Sequence, residues 1–156
     1  MRAHLISAGL LLLMGAAHAQ EDLLIDQTSI YVTDPLACEA LETKGLDAWM
    51  DMDFLSLSFA DGIQSMEFHC DFYDIKSRAN SPTLFVDAVC QMPGELYPDI
   101  MAIAPNGEDS ILVVSGSETT LALASSDAPP SDNPPGTTLY HRCGDLTEIP
   151  VTGSAK

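Results

Sequence analysis

Two histidines stand beside cysteines. His69 directly precedes Cys70, and His141 lies two residues before Cys143. Imidazole and thiolate are the ligands of structural zinc, which takes four of them in a tetrahedron, with closely spaced cysteine pairs supplying the grip. Cys38, Cys70, Cys90 and Cys143 are far apart and form no Cys-x-x-Cys pair, so their even number reads instead as a disulfide framework. Three pairings are open, and spacing alone does not choose among them; Cys38 with Cys70 and Cys90 with Cys143 is the expectation carried forward. Each loop so closed stabilises the fold by roughly 3–4 kcal/mol in the chain-entropy picture. Oxidised cysteines leave no thiolate nucleophile. Neither histidine sits in a recognisable catalytic motif, and the sequence contains no Gly-x-Ser-x-Gly elbow, phosphate-cradling loop or metalloprotease spacing. No enzyme activity and no cofactor are expected.

Carboxylates are the other candidates. Asp51 and Asp53 flank Met52, and Glu108-Asp109 follows Asn106-Gly107. Clustered oxygen ligands suit calcium, yet neither segment has the glycine and terminal glutamate of a twelve-residue EF-hand loop. Among 23 acidic residues, adjacent ones arise by chance. A more ordered set comes from the strand after Asp61-Gly62, where Glu67, His69, Asp71 and Tyr73 alternate with Met66, Phe68, Cys70 and Phe72. Standing in a row opposite Ser56 and Ser58, the first four are a possible recognition or metal-binding face; the plainer reading is a solvated sheet face. Trp49 and Tyr97 are expected in core or barrel-mouth packing rather than in ligand stacking.

The compartment follows from the first residues. Arg2 opens a short basic region, Leu5 to Ala17 is apolar, and Ala17-His18-Ala19 has the small-x-small form of a signal-peptidase site, with cleavage before Gln20. The apolar run is too short for a membrane span, which needs roughly 20 residues. No cysteine closes the run, so no lipid anchor is expected. The organisation read is residues 1–19 signal peptide, 20–144 a single β domain, and 145–156 a flexible tail, with no membrane insertion after cleavage. Without Arg2 the chain carries five basic residues against 23 acidic, a formal charge of −18. That excludes nucleic acid, whose phosphates ask for a basic footprint. It suits either a solubilising surface or electrostatic steering toward a cationic protein.

The elements that position these groups are mostly strands. Residues 28–32 form a first strand, and Asp34-Pro35 caps and opens a short helix that stops at Gly45. Leu55, Leu57 and Phe59 alternate with serines, and Asp61-Gly62 is read as a type I′ turn into the return strand. Leu84, Val86, Ala88 and Cys90 alternate up to Pro93-Gly94. Residues 97–104 and 111–115 flank Asn106-Gly107 as a hairpin, residues 120–124 read as another short strand, 125–136 as a proline-rich surface loop, and 137–143 as the last strand. About seven or eight short strands with turns between them make a mainly β protein. The expectation is a small antiparallel up-and-down barrel, or else a sandwich, with one short N-terminal helix and two disulfides.

The sequence of Ala37-Cys38, Asp61-Gly62-Ile63, Glu67-Phe68-His69-Cys70, Cys90, Gly94-Glu95 and Tyr140-His141-Arg142-Cys143 resembles a group of small uncharacterised exported proteins of alphaproteobacteria. That group implies no activity. The strand and cysteine layout also resembles the periplasmic C-type lysozyme inhibitors, small disulfide-bridged β-barrels that insert a Ser-Gly-x-x-Tyr-type loop into the enzyme. Ser115-Gly116-Ser117-Glu118-Thr119 supplies the Ser-Gly without the tyrosine, so the inhibitory residues do not carry over. The expected function is a non-enzymatic periplasmic or secreted binding or structural module, monomeric and of unknown ligand. The alternatives are an inhibitor of a cationic, lysozyme-like enzyme and a calcium-binding protein. Intact-mass measurement of the exported product is expected to give a chain starting at Gln20 with no free thiol; a retained leader or four alkylatable cysteines would contradict the export reading.

Overall fold

A computed structural model describes residues 24–125 and 133–151. The leader expected at residues 1–19, residues 126–132 of the proline-rich segment and residues 152–156 of the tail lie outside the described residues. Eight strands run in chain order as β1 (Tyr31–Val32), β2 (Ser56–Ser58), β3 (Gly62–Gln64), β4 (His69–Ser77), β5 (Leu84–Met92), β6 (Glu95–Pro105), β7 (Ser110–Ser115) and β8 (Thr137–Arg142). Each pairs antiparallel with the next, and β1 pairs with β8, so the sheet closes as an up-and-down barrel. Eight strands enclose an interior that side chains can fill. Inward residues pack within it: Leu57, Ile63, Val86, Ala88, Ile103, Ile111 and Val113 are buried together with Tyr31 and Tyr140.

Beyond β1 the chain leaves the wall for two helices, α1 (Ala37–Lys44) and, after a single 3-10 turn, α2 (Ala48–Asp51). Asp34 Oδ1 accepts from the Leu36 amide, and α1 stops at Gly45. Ala37, Leu41, Ala48 and Phe54 make a second apolar cluster with Ile30, Val32 and Cys143, outside the barrel core. Tyr31 therefore belongs to the barrel interior while its neighbour Val32 belongs to the helical cover, as the two-residue alternation of a strand requires.

The wall between these clusters decides the disulfides. Cys70 and Cys90 both belong to the barrel interior and stand directly opposite each other on β4 and β5, with Cα atoms 3.9 Å apart. Cys38 on α1 and Cys143 just after β8 share the outer cluster and are bridged across 5.2 Å between Cα atoms. The expected pairing of Cys38 with Cys70 and Cys90 with Cys143 is thus overturned, because each of those bonds would have to pass through the barrel wall.

Four local expectations also change. Ser58 pairs with Gly62 across a loop of Phe59, Ala60 and Asp61, not across a two-residue turn. Gly62 has φ +80°, and a Cβ there would strike the Cys70 carbonyl, so glycine is required by close approach. The return strand breaks at residues 65–68 before β4 begins, and β4 carries a bulge between Phe72 and Asp74. Residues 120–124 are helical, not extended, as part of α3 (Gly116–Ala124). Ser115 caps α3 by accepting from the Glu118 amide at 3.0 Å. Ser115-x-x-Glu118 ahead of Leu121, Ala122, Leu123 and Ala124 is a helix-start signature that outweighs the extended preference of Thr119 and Thr120. After Gly144, where a tail was expected, Leu146 and Ile149 pack on the helical cluster, and the Leu146 carbonyl accepts from the Ile30 amide at 2.9 Å.

One end of the barrel is shut. Tyr31, Phe59 and Phe72 meet edge to face with ring centres 6.4 Å apart. The Tyr31 hydroxyl donates to the Asp26 carbonyl at 2.9 Å, and Arg142 bridges to Asp109 and lies 3.9 Å from Asp26. Hydrogen bonds from the Thr28 side chain and amide, then from Ser29, hold the Asp26 carboxyl below its ordinary value of 3.8.

Two stability outcomes follow from this arrangement. The Cys38–Cys143 bond closes a loop of 105 residues and the Cys70–Cys90 bond one of 20. Replacing the first pair by alanine is expected to cost about 4–5 kcal/mol in chemical denaturation, against about 3 kcal/mol for the second, in the chain-entropy picture; the reverse order would show that strain or residual unfolded structure dominates. For Asp26 the folded state favours the ionised form, so its contribution is present above the unfolded value and fades as pH falls through the folded one. Calorimetry should find Asp26→Ala less stable than the parent at neutral pH, with the gap in Tm narrowing below about pH 4.

Candidate functional site

The opposite end of the barrel is open. There the β6, β8 and β2 starts and the β3 and β7 ends converge on a cavity of about 370 Å³. Its floor is apolar, from Leu55, Ile63, Phe68, Met101 and Val113, and its wall carries Tyr97, Asp99, Thr138 and Tyr140, with Glu118 at the rim. This volume lies at the lower end of the range that small-molecule sites occupy.

Asp99 is the least expected residue in the wall. It occupies an inward position of β6, in the series Tyr97, Asp99, Met101 and Ile103, and is only 6 % exposed. Its Oδ1 accepts from the amides of Ile100 at 2.8 Å and Ser117 at 3.0 Å, and its Oδ2 from the Ser115 hydroxyl at 2.6 Å. A buried carboxylate needs such donors, and these ones fasten the first turn of α3 across the barrel end. Thr119 continues the attachment by donating to the Ser115 carbonyl at 2.6 Å and to the Pro135 carbonyl at 3.2 Å. Gly136, at φ +72°, lies so close to Thr119 that no side chain fits there. α3 itself buries none of its residues; it is a rim and not a core helix.

Two tyrosines complete the mouth. Tyr140 is 1 % exposed, and its hydroxyl makes no hydrogen bond among the described residues; burial pushes its titration up. Tyr97 is raised as well, first by burial and then by the carboxylates of Glu118, Asp99 and Glu95. The mouth is therefore negative. None of the described basic side chains lines it: Lys44 pairs with Asp51, Lys76 with Asp74 and Asp87, Arg142 with Asp109 and Asp26, and Arg78 lies over Phe85.

The residues singled out from sequence are distributed elsewhere. His69, Asp71 and Tyr73 lie on β4, with Tyr73 exposed at the bulge, while Glu67 sits on the bend before the strand. His141 is on β8, which is not a neighbour of β4, so the two histidines are not brought together. Cys70 and Cys143 are both oxidised. Among the described residues no three His, Cys, Asp or Glu side chains are grouped as metal ligands, and Asp51 and Asp109 are engaged by Lys44 and Arg142. Trp49 packs on Phe54 at 6.1 Å in the helical cluster, while Tyr97 stands at the barrel mouth. Sequence reading passed over Asp99 and Tyr140. The inward alternation along β6 and β8 was the signal that could have found them.

A second, more open groove of about 560 Å³ runs between β6 and α3, past Met92, Pro98, Ile100 and Leu121, and shares Tyr97, Asp99 and Glu118 with the mouth. No helix among the described residues is long and apolar enough to cross a membrane. No family model, no curated protein and no solved structure matches the chain, so the functional reading rests on the barrel's own geometry.

Proposed function

We propose that this is a non-enzymatic, exported binding module whose binding site is the open barrel mouth. The observation that carries the reading is the difference between the two ends. One is sealed by edge-to-face aromatics and an arginine bridge; the other keeps a 370 Å³ space lined by apolar residues and a few polar groups. A barrel built only for stability would fill both ends, since an unfilled apolar cavity costs packing energy. The two disulfides fit an oxidising compartment, and with the leader-like first residues they support a periplasmic or secreted location.

A second reading, inhibition of a cationic enzyme such as lysozyme, draws on the charge of −17 for the whole chain. It is the weaker one here. The Ser115 hydroxyl, which would have to serve an inserted loop, is engaged by Asp99 and by the Glu118 amide.

The uncharged probe N-phenyl-1-naphthylamine, whose fluorescence rises in apolar surroundings, tests the mouth directly. The native protein is expected to bind it with fluorescence enhancement. Thr138→Trp, which fills the cavity from β8, is expected to abolish binding while far-UV circular dichroism and both disulfides persist. Ile100→Ser on the outer wall serves as the control and should leave binding intact. A probe that ignores the native protein, or that binds Thr138→Trp equally well, would overturn the reading.

A further inference from the structure

We propose that the ligand of the mouth is a small organic cation, an ammonium group on a compact apolar body, a step that rests on the mouth being the binding site. Asp99 supplies the first argument. Its carboxylate is 6 % exposed and pairs with no cationic side chain among the described residues. An ionised carboxylate offers about four acceptor positions, and three are filled by Ile100, Ser117 and Ser115. The Ser117 amide at the start of α3 and the Ile100 amide on β6 offset part of the charge, and Oδ2 has a single protein donor on a residue that lines the cavity.

Tyr140 supplies the second argument independently. Its hydroxyl has no protein hydrogen bond among the described residues and is not among the fully buried atoms left without a partner, so it is open to the cavity it lines and offers a ligand an oxygen. The rings of Tyr97, Tyr140 and Phe68 add π-faces around the same space, which attract cations and not anions. Glu118 at the rim brings a further negative charge. An anionic ligand would meet two carboxylates and no base. A neutral one would hydrogen-bond but leave the charge of Asp99 without a counterion. A bare metal ion would find too few oxygen ligands, since no group of three candidate side chains exists among the described residues. An ammonium satisfies Asp99 with one proton, has others for a tyrosine oxygen, and carries its carbon body onto Leu55, Ile63 and Val113.

Three isosteres measured by calorimetric titration against the intact, disulfide-bonded protein separate these cases: phenethylamine, 2-phenylethanol and 3-phenylpropionate. The amine is expected to bind about tenfold or more tighter than the alcohol, the increment of one charge-assisted hydrogen bond, and the carboxylate not at all. Asp99→Asn should erase the preference for the amine. Because that change also touches the anchor of α3, Glu118→Gln provides the second test; it should weaken the amine several-fold and leave the alcohol unchanged. Comparable affinity for N-acetyl-lysine amide would support the same chemistry with a protein's lysine as its source, and much weaker binding would support a free amine. Alcohol and amine binding equally, while N-phenyl-1-naphthylamine still occupies the mouth, would overturn the cation and spare the site; failure of the amine, the alcohol and N-phenyl-1-naphthylamine alike would overturn both.

Discussion

A seam two residues long holds the barrel closed. β1 consists of Tyr31 and Val32, and through them β2 is joined to β8 by the pairs Tyr31–Leu57, Val32–Ser56, Tyr31–Arg142 and Val32–His141. Such a short ladder has few hydrogen bonds of its own, so the seam is held by what flanks it. Both its side chains are buried, one on each face of the wall. The Cys143 amide donates to the Ile30 carbonyl and the Ile30 amide to the Leu146 carbonyl, which extends the pairing past the strand ends. The Cys38–Cys143 bond then ties the helix that follows β1 to the residue that follows β8. Covalent closure sits where the hydrogen-bonded closure is thinnest. The other bridge, Cys70–Cys90, joins strands already paired over their whole length, so it stiffens a hairpin and does not decide the topology.

Given that closure, the chain order fixes which end can open. Every odd strand runs one way and every even strand the other, so the same end collects the β6 and β8 starts and the β7 end. At that end the connection from β7 to β8 takes residues 116–136 and begins with α3, where a hairpin would need only a tight turn. A tight turn would draw its strands together over the core. A helix that buries nothing stands at the rim beside β6 and β7 without filling the opening, and Asp99 keeps its first turn there. At the other end the turns are short and Tyr31, Phe59 and Phe72 occupy the space beneath them.

Much of this was legible in the residues, for a definite reason. Alternation survives in sequence wherever one face of a strand is buried, and β5, β6 and β7 show it clearly. The proline-glycine and asparagine-glycine turns mark the hairpins between them, so the antiparallel up-and-down barrel could be read. The disulfide pairing failed for want of using the same alternation on the cysteines. Cys70 follows Phe68 and precedes Phe72 on one face, and Cys90 follows Val86 and Ala88 on another inward face, so both were already assigned to the interior. Cys38 lies in a helix, outside any strand. α3 was missed because two threonines outweighed the Ser115–Glu118 cap. Asp99 carries no local signature: it stands singly in a β-strand pattern, whereas histidines and paired acids match the spacing of known ligand sets.

That isolation has energetic meaning. A carboxylate on the inner wall of a barrel interrupts the apolar lining, and valine or leucine there would serve the core better. Asp99 is compatible with folding only because α3 supplies two of its three donors, and α3 keeps its position only because Asp99 receives them. The two depend on each other, so the open mouth is not a packing defect left by short strands. It is a space whose rim is fastened by the one buried acid of the barrel interior among the described residues, and the same acid puts negative charge on the wall of that space. Packing, charge and access at this end are thus set by a single side chain, which is why a substitution at Asp99 would alter the shape of the mouth and its preference for ligands together.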